Sequence, residues 1–539
     1  MKRSYALAMT TALSLTATLA FAQNHPVTNE PLAEKQVFVY RVGDDSPSID
    51  PQYTEDVDGA AVVRDLFEGL MTQDKDGNLA PGVATDFDLS EDKTVYTFHL
   101  RDTAKWSDGT PVTAADFEYS WKRLVDPATA SPYAWFAEEM GIVNVADVVA
   151  GKLPTSDLGV KAIDDHTFEV RLNRPVAHMP QMTTNAALSP SPKSVVEAHG
   201  TNWTKPEFIV SNGAYVLTEA IPQERSVRVR NTNYWNNDAT IIERVEALVI
   251  NDENAALTRY LSGELDRTEV PAGQFKKLSA SNPDEALSIP TLCTYYYFIN
   301  MSDSANPALK DQRVREALSL AIDRDVITGS ILQGGQTAAF GFTPEATAGF
   351  TAPENAAEAM TQKDRDARAI ELLTEAGYGP DKPITLKLLY NTDDQHKKIA
   401  ITVSQMWKQK LGVTTELQNM EWKTFLEARS SQQFDIGRAG WCGDYNMASA
   451  FLDLMRSGHE YNDAKYSNAE VDALLEDARV NPDPSADFTK IEEIIAKDVP
   501  ILPIYHYAEA YMMDKNLQNW PVENVQQNWY SRDLYFTAE

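Results

Sequence analysis

Apolar positions in this chain change their spacing from segment to segment, and the spacing predicts the elements. Val62, Val63, Leu66, Phe67, Leu70 and Met71 recur at helical intervals after an acidic stretch that contains Glu55. In TVYTFHLR (94–101), Tyr96, Phe98 and Leu100 alternate with Val95, Thr97 and His99, the period of a half-buried strand. Asp108-Gly109 marks a turn, and Thr113 with Asp116 resembles a capping box opening the helix DFEYSWKRL. A second strand is predicted at HTFEVRL (166–172). Together these segments read as a small α+β unit.

Beyond residue 375 the order changes. Gly377-Tyr378-Gly379-Pro380 ends a helix, and PITLKLLY (383–390) predicts a strand. HKKIAITVSQMWKQKL (396–411) then predicts an amphipathic helix and VTTELQ (413–418) the next strand. Strand, helix and strand in that order predict a βαβ unit in a parallel sheet, followed by the helix EWKTFLEAR. FDIGRAGW (434–441) reads as a further strand of that sheet, opening into the loop Cys442-Gly443-Asp444-Tyr445-Asn446. Ligands sit at the ends of such strands and between domains, so residues 438–446 are the leading candidate site. A carboxylate held among aromatics suits a cation such as a primary ammonium. A disulfide-anchored turn whose charges pair with each other accounts for the same residues.

Composition narrows the class. The first 22 residues hold Lys2 and Arg3, an apolar run from Ala6 to Phe21 and the site Ala20-Phe21-Ala22, the pattern of a cleaved signal peptide. No cysteine stands at the cleavage point, and no later stretch has the roughly 18 apolar residues that a membrane span needs. Export as a soluble protein is expected, without membrane insertion. The formal charge of −31 becomes −33 once Lys2 and Arg3 are removed, which disfavours nucleic acid and anionic membranes as partners. With 43% apolar residues the chain can bury more than one core, and its length predicts two to four domains. Cys293 and Cys442 are the only cysteines; they form a bridge or remain two buried thiols.

Catalytic signatures are missing. No G-x-S-x-G elbow, phosphate loop, G-x-G-x-x-G or H-E-x-x-H is present, and the eight histidines include no pair at ligand spacing. No metal or cofactor is expected, and a binding role is favoured over an enzyme. Aromatic residues are enriched instead: Tyr295-Tyr296-Tyr297 after Cys293, Trp441 and Tyr445 beside Cys442, Tyr133 with Trp135, and Tyr505 with Tyr507. Three consecutive tyrosines in a strand cannot share one face. They line a cleft, or their hydroxyls reach solvent.

These residues resemble the periplasmic oligopeptide-binding proteins of ABC importers over essentially the whole mature chain. The resemblance rests on SIDP (48–51), RDLFEGL (64–70), LAPGVA (79–84), AKWSDGTPVTAADF (104–117), LGVKAIDDHTFEV (158–170), SNGAYVL (211–217), LCTYYY (292–297), DQRVREALSLAIDRD (311–325) and RAGWCGDY (438–445). It implies an α/β, two-lobed, hinge-closing periplasmic binding protein with an additional α+β domain. Its implied layout is lobe I at 23–67, 193–292 and 508–539, the additional domain at 68–192, and lobe II at 293–507. It further implies a Cys293–Cys442 bond, short peptides as ligands, an inner-membrane ABC permease as partner and a monomer. By position Asp444 matches the acceptor of the peptide ammonium, while Arg438, Arg429 and His396 match alternative partners of the peptide carboxylate. Glu55, Val57 and Arg64 fall on the first-lobe wall; Tyr133, Trp422, Trp441, Cys442 and Tyr296 fall on or beside the pockets. The chain departs from the pattern at Phe298, Thr291, Ser430 and Glu269, the last replacing a pocket tyrosine, so altered side-chain preference is expected. SPYAWFAEEMGI (131–142) is closer to the murein-tripeptide-binding sister group. The alternatives are a murein-tripeptide or other non-standard solute binder and, from another class, a secreted peptide hydrolase.

Overall fold

Two long strands, Ala286–Ile299 and Ile501–Met513, run antiparallel side by side and belong to both halves of one mixed sheet. In the computed structural model, which describes residues 24–481 and 483–538, the strands Thr414–Met420, Thr385–Asn391 and Ile436–Cys442 extend that sheet on one side. Arg267–Glu269, Val37–Val42, Arg244–Val249, Arg225–Arg230 and Tyr215–Ile221 extend it on the other. Side chains alternate faces along a strand, so Tyr505, Tyr507, Glu509, Tyr511 and Met513 share one face. Tyr505 packs into the core around Trp407, whereas Tyr511 and Met513 pack into the core around Tyr40 and Trp529. Tyr507 and Glu509 stand between the two cores. The fold is therefore α/β and two-lobed, with the crossing strands as the floor between the lobes. The signal-peptide reading concerns residues 1–22, outside the described range; among the described residues no helix is long and apolar enough to cross a membrane.

The βαβ unit forms as its apolar period predicts. Thr385–Asn391 pairs parallel with Thr414–Met420 and with the start of Ile436–Cys442. Helix Asp394–Leu411 between them buries Ile399, Ala400, Val403 and Trp407. It begins two residues before the predicted start, where the Asp393 carboxylate accepts the His396 N–H (2.9 Å). Gly437 is required by packing: a Cβ there would lie 2.3 Å from the Phe298 ring on the paired strand.

The additional unit is a four-stranded antiparallel sheet, Ala84–Leu89, Val95–Leu100, Thr167–Arg171 and Val160–Asp164 in spatial order. Tyr96, Phe98 and Leu100 are buried as the alternation predicts. The capping box forms, the Thr113 N–H donating to the Asp116 carboxylate (2.8 Å), and helix Ala114–Val125 lays Trp121 edge-on against Phe168. The helix expected at 62–71 is displaced to Val57–Leu66. It starts where the Asp56 carboxylate accepts the Gly59 N–H (2.6 Å), and it ends at Phe67. Phe67, Leu70 and Met71 are buried beyond its end, so their spacing reported burial rather than helix.

The tyrosine triplet divides as strand geometry demands. Tyr295 and Tyr297 enter the core around Trp407, while Tyr296 meets Phe342 on the opposite face. All three are buried, so none reaches solvent. Cys293 and Cys442 are direct cross-strand partners and are bonded, at a sequence separation of 149. A loop of that length corresponds to about 4–5 kcal/mol of chain entropy. Strand pairing already holds the two residues together, so about 2–3 kcal/mol is expected in practice. Replacing both cysteines by serine will lower the thermal midpoint by several degrees, and adding reductant to the native protein will reproduce the loss. A midpoint unchanged in both experiments would refute a stabilising role for the bond.

Candidate ligand-binding site

Strand Ile436–Cys442 gives way to Gly443, whose N–H donates to the Leu292 carbonyl (2.9 Å), and the following side chain is Asp444. Its Oδ1 accepts from the Tyr133 hydroxyl (3.1 Å) and the Asn185 amide (2.8 Å), both in the additional unit. Its Oδ2 is enclosed and has no partner. Arg438 is bonded to other groups, so the turn's charges are not self-paired. Burial pushes the Asp444 carboxyl up to about 7, although both hydrogen bonds pull it down. A buried carboxylate oxygen left without a donor costs roughly 1–3 kcal/mol or more. Such an oxygen is made for a donor that arrives from outside, and a cation satisfies it best.

The three expected carboxylate partners differ. Arg438 donates to the Tyr507 hydroxyl (2.8 Å) and to Asn391 (3.3 Å), and its charge lies over the Tyr295 ring. Its Nε lacks an acceptor and no carboxylate stands within ion-pair distance among the described residues. Arg429 is already paired with Asp463 (3.2 Å), so it is not a free cation. His396 is disfavoured as a cation. Burial brings its imidazole down to about 3, Arg438 pushes the same way, and Asp393 opposes too weakly.

The opposite wall comes from the start of helix Val57–Leu66. Glu55 accepts from the Tyr461 hydroxyl (3.0 Å) and burial raises its carboxyl. Val57 is 65% exposed, while Arg64 two turns later donates to the Trp529 carbonyl (3.3 Å). Tyr133, Trp135, Trp441 and Tyr461 form one aromatic group with centroid separations of 5.4–6.2 Å. Trp422 stacks on Phe425 rather than joining them. Glu269 is held by Arg41 (2.9 Å) and Arg267 (3.1 Å). Burial works against its charge, but the two arginines outweigh burial and hold its carboxyl below the ordinary range.

Sequence reasoning missed Asn185, Tyr461 and Glu139. The buried Glu139 of the additional unit accepts from Arg456 (2.6 Å) and pairs with Arg479, so it clasps that unit to the second lobe. Its only signal was a second acid, Glu138-Glu139, within an aromatic helix. A further feature is the edge of the site strand. Arg438 to Cys442 pair with Ala286–Ile299, but pairing with Thr385–Asn391 stops at Gly437. One edge of residues 438–442 therefore faces the site without a strand.

Known proteins share this fold. Residues 78–463 match the family model of bacterial extracellular solute-binding proteins, family 5 Middle. The periplasmic murein peptide-binding protein MppA of Escherichia coli (strain K12) is 43% identical over 539 residues, 99% of each chain. The periplasmic oligopeptide-binding protein OppA of the same organism is 43% identical, over 99% of this chain and 98% of that one. A solved structure of E. coli MppA, 44% identical, covers 94% of this chain and all of its own, with a TM-score of 0.91. The unliganded open form of MppA, at the same identity and covering 94% of this chain and 98% of its own, reaches only 0.68. The lobes here thus stand closed, as the bonds from Asp444, Glu55 and Glu139 across them require. The chain belongs to the bacterial extracellular solute-binding proteins of family 5.

Proposed function

We propose that this protein captures short peptides outside the cytoplasm, closes over them and delivers them to an inner-membrane ABC permease. It acts as a monomer, without cofactor and without catalysis. The observation that carries the reading is the unpartnered Oδ2 of Asp444, enclosed between lobes with no cation beside it. An N-terminal ammonium supplies both the charge and the hydrogen bond that oxygen lacks. Arg438 receives the carboxylate end, with Arg429 and His396 contributing contacts but no free charge. The strandless edge at 438–442 supports main-chain pairing with an extended peptide, which gives affinity without reading side chains. Lobe boundaries near 292/293 and 507/508 suit this role, because the crossing strands there hinge the closure.

Native mass spectrometry of the protein purified from its periplasm tests the reading: the expected result is a family of co-purified peptide masses. Incubation with mixed di- to pentapeptides and the murein tripeptide must return every one intact. Cleavage overturns the binding role in favour of a hydrolase. Exclusive retention of the murein tripeptide favours the second reading, which the similarity to MppA supports.

A further inference from the structure

Between the two cores, the floor of the cleft carries more anions than cations. Glu269 lies opposite Tyr511 in the strand pairing, and Glu509 stands two residues from Tyr511 on the same face, roughly 7 Å along the strand. Asp58, in the first turn of helix Val57–Leu66, completes the group. Arg41 and Arg267 both bind Glu269; Arg267 also attracts Asp58 and Glu509 but forms an ion pair with neither. Asp58 and Glu509 accept no hydrogen bond and have no ion-pair partner among the described residues. By surface area Asp58 is exposed and Glu509 half-buried, while the protein around them pushes each carboxyl up to about 7, Glu269 adding to the rise and Arg267 opposing it. Asp56, Glu253 and Asp393 bring further negative charge around Arg41, Arg267 and Arg438.

A second observation points to a ligand at this place. Arg438 is nine-tenths buried, its Nε has no acceptor, and it reaches the floor through the Tyr507 hydroxyl. Tyr507 is the neighbour of Glu509 on the same strand face. An unmatched cation is thus bound to Tyr507, and an unmatched anion stands two residues along the same strand face. A ligand segment with a carboxylate and a nearby ammonium or guanidinium satisfies both at once.

We propose that Asp58 and Glu509 form a subsite for a cationic side chain, so that the preferred peptides carry lysine or arginine at, or next to, the carboxyl end. The proposal rests on the peptide reading above, and the test separates the two. Calorimetric titration at pH 7.5 compares Ala-Ala-Ala with Lys-Ala-Ala, Ala-Lys-Ala, Ala-Ala-Lys and Ala-Ala-Glu. The expected result is at least tenfold tighter binding of Ala-Lys-Ala or Ala-Ala-Lys than of Ala-Ala-Ala, with Ala-Ala-Glu weakest. In Glu509→Gln, and separately in Asp58→Asn, that lysine-to-alanine ratio falls to within about twofold of unity. If the native protein binds all tripeptides equally, or gains only from Lys-Ala-Ala, the subsite is wrong while the peptide reading stands. If it binds none of them, the peptide reading itself fails. A lysine preference that persists in both variants also overturns the subsite.

Discussion

The substitution Asp444→Asn will cost on the order of a hundredfold in affinity for peptides with a free amino terminus, and it will make the ligand-free protein more heat-stable. The first effect follows from the orphaned Oδ2. Truncating one partner of a buried, hydrogen-bonded charge pair costs about 2–5 kcal/mol. Asparagine keeps an oxygen for Tyr133 and Asn185 but places an N–H where the ammonium would donate. The second effect follows from the carboxyl's position near 7 against 3.8 ordinarily. Between those values the unfolded chain has lost the proton while the folded chain still holds it, so folding stability falls as pH rises. Each pH unit removes about 1.4 kcal/mol, and the whole window up to about 4 kcal/mol. Asparagine does not titrate and escapes the loss. The thermal midpoint of Asp444→Asn should therefore exceed that of the native protein by a few degrees at pH 8 and match it near pH 4. N-acetylated peptides should bind the native protein as poorly as free peptides bind the variant. Equal affinity of the native protein for acetylated and free peptides would falsify the ammonium role.

Local patterns were legible where one element decides its own structure. The period of Ile399, Val403 and Trp407 announced a helix, and the alternation of Tyr96, Phe98 and Leu100 announced a strand. Position 444 was singled out by the resemblance of the residues around it to a family. Its surroundings were not legible. Tyr133 and Asn185 lie 311 and 259 positions away, and nothing local in TTNAALSP signals a ligand for a carboxylate. The charge state of His396 was equally hidden, since neutrality there depends on enclosure by Arg438 and the Tyr295 ring. Helix Val57–Leu66 was misplaced because apolar residues in an irregular buried segment mimic helical spacing.

Peptide affinity should fall about tenfold per pH unit below 7 and level off above it. In the closed protein without ligand, burial pushes the Asp444 carboxyl up to about 7; with an ammonium on Oδ2 its proton is held far more weakly. Binding below pH 7 must therefore release that proton, and the linkage makes pH 5 about a hundredfold worse than pH 7. Above pH 8 the peptide amine begins to lose its own proton, and affinity declines again. Other carboxyls near the cleft titrate in the same range: burial brings Glu460, Asp58 and Glu509 to about 7 and raises Glu55. These respond to cationic side chains, so the measurement needs a ligand such as Ala-Ala-Ala, which brings only its amine. Titration in two buffers of different ionisation heat gives the proton count directly, with about half a proton released at pH 7. Asp444→Asn, like the N-acetylated ligand, should give a flat profile from pH 5 to 7. A slope that survives in the variant assigns the proton to Glu55 or its neighbours and removes Asp444 from the ammonium site.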